Sequence, residues 1–280
     1  MTNRAEGSAP NAGVAARLTA KLTRRDVAKA GGLLTLGALG AHVALLRSAA
    51  QDSPQIRDAI NAAITVEAFA VTFYGAARGR GERIGLSTEV ARFVRAAQCE
   101  EEAHYHFFEA AGAVPSATTF SISTGAIRNQ EAFLPALLEI ETLLVGAHMA
   151  AARRFATGGD PRLVEVAYQI GAVEAQHQTM TRVFLGERLP TDRAFAKWLF
   201  RDPAEAVQAL TDLRYIGGGS RAYDYPGPVD RYCRGVFGLV PETTDDQPAP
   251  TPVPAASPQA SPEASPEGGP AASPAASAVA

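Results

Sequence analysis

The sequence contains two Glu-x-x-His units, which begin at Glu101 and Glu174. Residues three positions apart on an α-helix share a face, one turn from each other, so both side chains of a unit can reach a common point. One glutamate precedes each unit at nearly the same distance: Glu67 lies 34 residues before Glu101, and Glu141 lies 33 residues before Glu174. The candidate metal ligands are therefore Glu67, Glu101, His104, Glu141, Glu174 and His177.

Four carboxylates and two imidazoles suit two divalent cations of hard or borderline character. Four negative charges that face two dications approach neutrality, which offsets the cost of burying ionised groups. Cys99 and Cys233 lie outside the pattern, so a soft-metal or iron–sulfur site is not predicted. The ligand set predicts two iron or two manganese ions, and the sequence does not distinguish between these metals.

The candidate ligands fall on the apolar faces of four predicted helices. Residues 54–77, 87–111, 129–156 and 160–184 carry apolar side chains every three or four positions, as on one side of a helix. Ser87 and Asp160 are predicted N-caps, and Pro135 is expected in the first turns of the third helix. An unpaired buried charge is costly, so the four helices must gather the carboxylates around a compensating charge.

The two halves of this region repeat. An offset of 74 and then 73 residues aligns the two Glu-x-x-His units, and it also aligns Ile64 with Leu138 and Tyr74 with His148. Residues 113–128 join the halves; sixteen extended residues reach ~50 Å, whereas the second helix is ~37 Å long. The fold class expected is all-α, a four-helix bundle built from two helical hairpins joined by a long crossover.

This pattern resembles the ferritin-like superfamily of dinuclear carboxylate proteins, and more narrowly the exported bacterial ferritin-like domain proteins akin to desiccation-associated proteins. The resemblance covers about residues 54–186 and includes all six candidate ligands. It implies a dinuclear iron or manganese centre that reacts with dioxygen or peroxide, with ferroxidase, oxidase or peroxide-detoxifying activity. The alternative is a non-catalytic metal-binding or stress-protective exported protein. Catalytic residues are not assigned.

Side chains near the ligands are expected to have other roles. Tyr74 and His148 share the ligand-bearing faces but lie ~10 Å farther along the helix axes, so both are predicted to be core residues, with an electron or proton relay as the alternative. Gln98 and Tyr105 are candidates for hydrogen bonds that orient the ligands. The residues predicted to face solvent are Glu100, Glu102, His106, Glu109, Glu139 and Glu165.

The N-terminal residues 1–50 resemble a twin-arginine export signal. Thr23 precedes the pair Arg24 and Arg25, and a weakly apolar run follows at residues 30–46. The resemblance implies export of the folded protein by the twin-arginine machinery to the periplasm, the cell surface or the medium. An ordinary amphipathic N-terminal helix is the alternative.

The remaining domain organisation follows from composition. The ferritin-like bundle is expected at residues 52–187, and a C-terminal extension packing on it at 188–240, with short helices at 191–200 and 202–213 and a loop at 215–233. Residues 241–280 are rich in Pro, Ala and Ser, which predicts a disordered tail. A formal net charge of −3 gives no reason to expect nucleic acid as a partner. The oligomeric state and a Cys99–Cys233 bridge are left open.

Overall fold

A computed structural model describes residues 53–229 and Cys233; the predicted export signal and disordered tail lie outside these residues. The elements in chain order are α1 (Pro54–Arg78), α2 (Gly81–Ile84), α3 (Thr88–Ala110), β1 (Thr119–Ile122), α4 (Gln130–Gly158), α5 (Pro161–Phe184), α6 (Pro203–Asp212) and β2 (Arg221–Asp224). The four long helices α1, α3, α4 and α5 form the bundle. The predicted all-α four-helix fold is confirmed.

Local sequence signals set the ends of the long helices. Ser87 accepts a hydrogen bond from the backbone N–H of Val90 at the start of α3, and Asp160 accepts one from that of Leu163 at the start of α5. Both residues are the predicted N-caps. Gly159 ends α4 with a φ of 79°, a left-handed conformation that costs glycine little. The helix boundaries therefore follow from capping residues that can be identified in the sequence.

The helices pair as two antiparallel hairpins, α1 with α3 and α4 with α5, and α1 also packs on α4. The crossover from α3 to α4 runs along the length of the bundle. At one end the N–H of Val114 donates to Asn61 near the start of α1, and at the other the side chain of Gln130 accepts from the N–H of Ser87. The long crossover expected from the length of the linker is therefore present.

The two central helices, α1 and α4, supply much of the hydrophobic core. By length and composition alone, each could cross a membrane, yet 89% and 61% of their most apolar stretches are buried inside the protein. Their apolar side chains pack against the other helices of the bundle. This burial is typical of the core helices of a bundle, whose apolar surface is covered by protein.

The region after α5 differs from the sequence-based expectation in two places. The predicted helix at residues 202–213 is present as α6, which packs on α1 and α4, but residues 191–200 are not helical. The predicted loop contains β2, which pairs antiparallel with β1 from the crossover. Because these two strands are about a hundred residues apart, their pairing is a long-range contact that local sequence patterns do not reveal.

The C-terminal end of the described chain is attached to α3. Cys99 forms a disulfide with Cys233, and the backbone N–H of Val229 donates to both carboxylate oxygens of Glu102, at 2.6 and 2.8 Å. Glu102 is consequently only 2% exposed. The prediction that Glu102 faces solvent is wrong, because the extension covers a second face of α3 that helical periodicity assigned to water.

We expect Glu102→Ala to lower the free energy of unfolding by about 1–3 kcal/mol, since it leaves the buried N–H of Val229 without an acceptor. Glu109→Ala, on the exposed side of the same helix, should change it by no more than about 0.5 kcal/mol. Urea unfolding of both variants with the disulfide intact measures the difference. Equal stabilities would show that the contact between Glu102 and Val229 contributes nothing.

Candidate metal centre

The six candidate ligands lie together in the middle of the bundle. Each long helix contributes one glutamate, and α3 and α5 each add the histidine one turn later. The four glutamates are fully buried, whereas the histidine side chains retain 12% exposure at His104 and 4% at His177. The periodic break in each apolar stripe therefore corresponds to one shared polar cluster inside the core.

The cluster divides into two overlapping groups of potential ligand atoms. Within each group one atom from every residue lies within 4.8 Å of the others. Glu101 and Glu174 belong to both groups, whereas each of the other four residues belongs to one. The groups are Glu67, Glu101, His104 and Glu174, and Glu101, Glu141, Glu174 and His177. These carboxylate and imidazole groups could hold metal ions.

The histidine rings define the two halves of the cluster. The Nδ1 atom of His104 lies 3.3 Å from Glu174, 3.5 Å from Glu101 and 3.6 Å from Glu67. Each of these distances joins the imidazole nitrogen to a carboxylate oxygen. One nitrogen thus faces three carboxylates, which is the arrangement expected around a cation that all four groups share.

His177 repeats this arrangement in the second half. Its Nδ1 atom lies 3.1 Å from Glu101, 3.4 Å from Glu174 and 3.6 Å from Glu141. The glutamates that both histidines face are the same two that belong to both groups. Two positions for cations, joined by Glu101 and Glu174, account for this geometry.

The hydrogen bonding of the cluster tests whether its residues fit metal ions. Most of its buried oxygen and nitrogen atoms have no well-aligned hydrogen-bond partner within the described part of the chain. They are both carboxylate oxygens of Glu67, Glu101 and Glu174, Oε2 of Glu141, and Nδ1 of His104 and His177. Buried polar atoms without partners are costly, and metal coordination would satisfy all of them. The residues therefore fit a dinuclear centre.

The glutamates have unequal proton affinities. Burial, reinforced by the charge of Glu174, raises the pKa of Glu101 well above its usual value. Burial also raises the pKa of Glu141, to about 7, although hydrogen bonding and charge at His177 act against it. Burial opposes ionisation of Glu67 and Glu174 as well, but hydrogen bonds and charges of neighbouring histidines outweigh it and lower both pKa values.

The two histidines favour their protonated forms in the absence of cations. Burial lowers the pKa of His104 and His177, but hydrogen bonds to the surrounding glutamates outweigh burial and raise both pKa values well above normal. Metal ions need ionised carboxylates and a neutral imidazole nitrogen. Binding of cations must therefore release protons from the cluster.

A carboxylate outside the cluster holds one of the histidines. Nε2 of His177 lies 2.7 Å from an oxygen of Glu100. Such a contact fixes the orientation of the ring and directs Nδ1 into the cluster. The prediction that Glu100 faces solvent is wrong, since it is half-buried against α5; its position one residue before Glu101 gave no periodic signal.

The aligned residues Tyr74 and His148 contact the glutamates of the opposite half. The hydroxyl of Tyr74 donates to Glu141, and Nε2 of His148 lies 2.7 Å from Glu67. Because α1 and α4 are antiparallel, a residue two turns beyond the glutamate of one helix is level with the glutamate of the other. The prediction that both are buried is confirmed, and the internal repeat was the signal for their shared role.

The other side chains around the cluster show mixed outcomes. Gln98 bonds to Val71 and Arg78, and Tyr105 stacks on Tyr225, so neither orients a candidate ligand through these contacts. The remaining residues predicted to face solvent are His106, Glu109, Glu139 and Glu165. Of these, the two glutamates of α3 and α4 are exposed, whereas the histidine and the glutamate of α5 are half-buried.

Comparison with known families agrees with this geometry. Residues 56–187 match the family described as ferritin-like domain. This part of the chain is a ferritin-like domain. No curated protein and no solved structure matches the chain. The ferritin-like domain includes all six clustered residues and ends at Glu187, so α6, β2 and the disulfide partner Cys233 lie beyond the matched region.

Proposed function

We propose that the ferritin-like domain holds two divalent cations, iron or manganese, and that the protein is an exported oxidoreductase acting on dioxygen or peroxide. The observation that carries the proposal is the sharing of Glu101 and Glu174 between the two ligand groups. Two carboxylates facing both groups favour a pair of ions over two unrelated sites. The internal repeat supports the same interpretation, since each half supplies an equivalent set of ligands.

The roles of the six residues follow from their positions. Glu101 and Glu174 bridge the two ions. Each ion then takes one further glutamate and one histidine, which are Glu67 with His104 and Glu141 with His177. Two ions of charge +2 balance four ionised glutamates, so the loaded cluster is close to neutral in the core.

Redox-active ions bound here would supply electron transfer to dioxygen or peroxide. The surrounding residues set the conditions. Glu100 holds the ring of His177, His148 lies against Glu67, and Tyr74 places a hydroxyl proton on Glu141. Apolar side chains of the bundle exclude water from the fully buried glutamates, which strengthens their attraction for cations.

Anaerobic titration with Fe²⁺, followed by admission of oxygen, tests this function. We expect two ions per chain and oxygen consumption that stops once the bound iron is oxidised; a manganese-loaded sample should be assayed for peroxide consumption. Two bound ions with no consumption of oxygen or peroxide would favour the non-catalytic metal-binding or stress-protective protein. Binding of fewer than one ion per chain would contradict the dinuclear centre.

The proposed export rests on the arginine pair before the apolar run at the N-terminus. Arg24→Lys combined with Arg25→Lys is expected to retain the protein in the cytoplasm in folded form, because the twin-arginine machinery recognises the pair. Cell fractionation with measurement of bound metal checks both location and folding. Export of the double variant at the normal level would contradict the proposal.

A further inference from the structure

An arginine-rich cavity lies on the protein surface outside the metal cluster. It is enclosed by the end of α1, by α2 and by β2, and its volume is about 320 Å³. Ligand sites for small molecules begin at roughly this size. Four of its lining residues are arginines, Arg78, Arg80, Arg83 and Arg221, and its one acidic lining residue is Asp224. The cavity therefore carries a strong positive charge.

Buried contacts position one of these arginines. Nε of Arg78 donates to the side-chain oxygen of Gln98 at 2.6 Å, and the Gln98 amide donates to the backbone carbonyl of Val71. Gln98 is only 1% exposed. A Cβ atom at Gly75 would lie 2.7 Å from the Gln98 amide nitrogen, so glycine is required for this close approach. The Arg78 side chain is thus directed by a packed support and not left free in solvent.

Two further donors in the cavity are buried and have no partner within the described residues: Nε of Arg80 and the hydroxyl of Tyr223. Arg221 lies over the ring of Tyr223, with its guanidinium carbon 5.2 Å from the ring centre. The carboxylate of Asp224 accepts a hydrogen bond from the hydroxyl of Thr119. Unsatisfied buried donors beside several positive charges indicate a place for an anion.

We propose that this cavity binds a phosphoryl group, either as free phosphate or on a small organic molecule. The donors come from α1, α2 and β2, which surround the cavity on different sides. A tetrahedral oxyanion can accept hydrogen bonds from several directions, whereas a carboxylate offers two oxygens in one plane. Guanidinium groups also match phosphate oxygens with paired hydrogen bonds.

The cavity and the metal cluster are separate sites. None of the cavity arginines is a candidate metal ligand, and none of the six clustered residues lines the cavity. The inference therefore does not rest on the proposed redox function. A variant that loses phosphate but keeps its metal also excludes phosphate bound to the metal ions as the source of the signal.

Isothermal titration of the metal-loaded full chain with inorganic phosphate tests the proposal. We expect Arg80→Gln combined with Arg83→Gln to weaken binding at least tenfold, because the double variant loses two of the four positive charges. The matched control is Arg57→Gln combined with Arg92→Gln, two exposed arginines outside the cavity, which should change the affinity less than twofold. Metal content should be the same in all three proteins.

Further ligands and a milder variant sharpen the test. Tyr223→Phe removes one hydroxyl while keeping the ring, and it should weaken phosphate binding at least twofold even if the arginine double variant does not fold. Acetate should bind at least tenfold more weakly than phosphate. Glycerol 3-phosphate binding tenfold more tightly than phosphate would identify an organic carrier, and equal affinities would identify free phosphate as the ligand.

Three results would overturn the proposal. The first is the absence of phosphate binding to the unmodified protein at concentrations of roughly 10 mM, where even weak sites are occupied. The second is equal weakening by the cavity variants and by the control variant. The third is acetate binding as tightly as phosphate, which would show a general effect of positive charge.

Discussion

Replacing Glu101 with Ala should lower bound metal from two ions per chain to well below one and abolish consumption of oxygen or peroxide. Glu101 belongs to both ligand groups, so its loss removes one ligand from each ion at once. The dications would then be under-coordinated in a core from which water is largely excluded, and the effect should be large rather than graded. Glu174→Ala should act in the same way, since Glu174 has the equivalent position on α5. The measurement is metal content per chain after identical loading.

Glu109→Ala is the matched control for Glu101→Ala. Both substitutions remove a carboxylate from α3, but Glu109 is exposed and lies outside the cluster. It should retain two ions per chain. Glu102→Ala should also retain them while losing stability, since its carboxylate bonds to Val229. Loss of metal in Glu109→Ala as complete as in Glu101→Ala, or retention in both, would contradict the assigned centre.

Removal of the metal should lower the stability of the bundle substantially. A ligand that binds only the folded state contributes ~4 kcal/mol when its concentration is a thousand times its Kd. Without cations, the four buried glutamates also oppose one another, and burial opposes their charge, as the raised pKa values of Glu101 and Glu141 reflect. Thermal unfolding of chelator-treated and loaded protein measures the difference.

Two comparisons separate this effect from damage by the chelator. Adding Fe²⁺ or Mn²⁺ back anaerobically should restore the melting temperature of the normal protein. The same addition should give Glu101→Ala little stabilisation, because that variant lacks the shared carboxylate. A metal-free protein that melts at the same temperature as the loaded one would count against cations in the core.

Helical periodicity was sufficient to predict the bundle because it is a local property. An apolar residue every three or four positions fixes the buried face of a helix whatever its partner is. Glu101 interrupts that face, so its burial could be inferred without knowing which helices surround it. The crossover followed from chain length, since residues 113–128 are long enough to span the bundle.

The contacts of Glu100 and Glu102 could not be inferred in this way. Both residues lie beside the apolar stripe of α3, where periodicity predicts solvent. α5 instead places His177 against Glu100, and the extension places Val229 against Glu102. Each contact joins residues at least 77 positions apart. A pattern within one helix contains no information about which neighbour covers its other faces.

The sequence by itself determined the four helices, their inward faces and the six polar residues that interrupt those faces, because helix phase converts spacing directly into direction. Only the tertiary structure showed that Glu101 and Glu174 are shared between two groups, that Tyr74 and His148 reach the opposite half, and that β2 closes an arginine-rich cavity against α1. These features depend on the relative positions of segments far apart in the chain. Such positions are set by packing of the whole core and not by the residues that meet there.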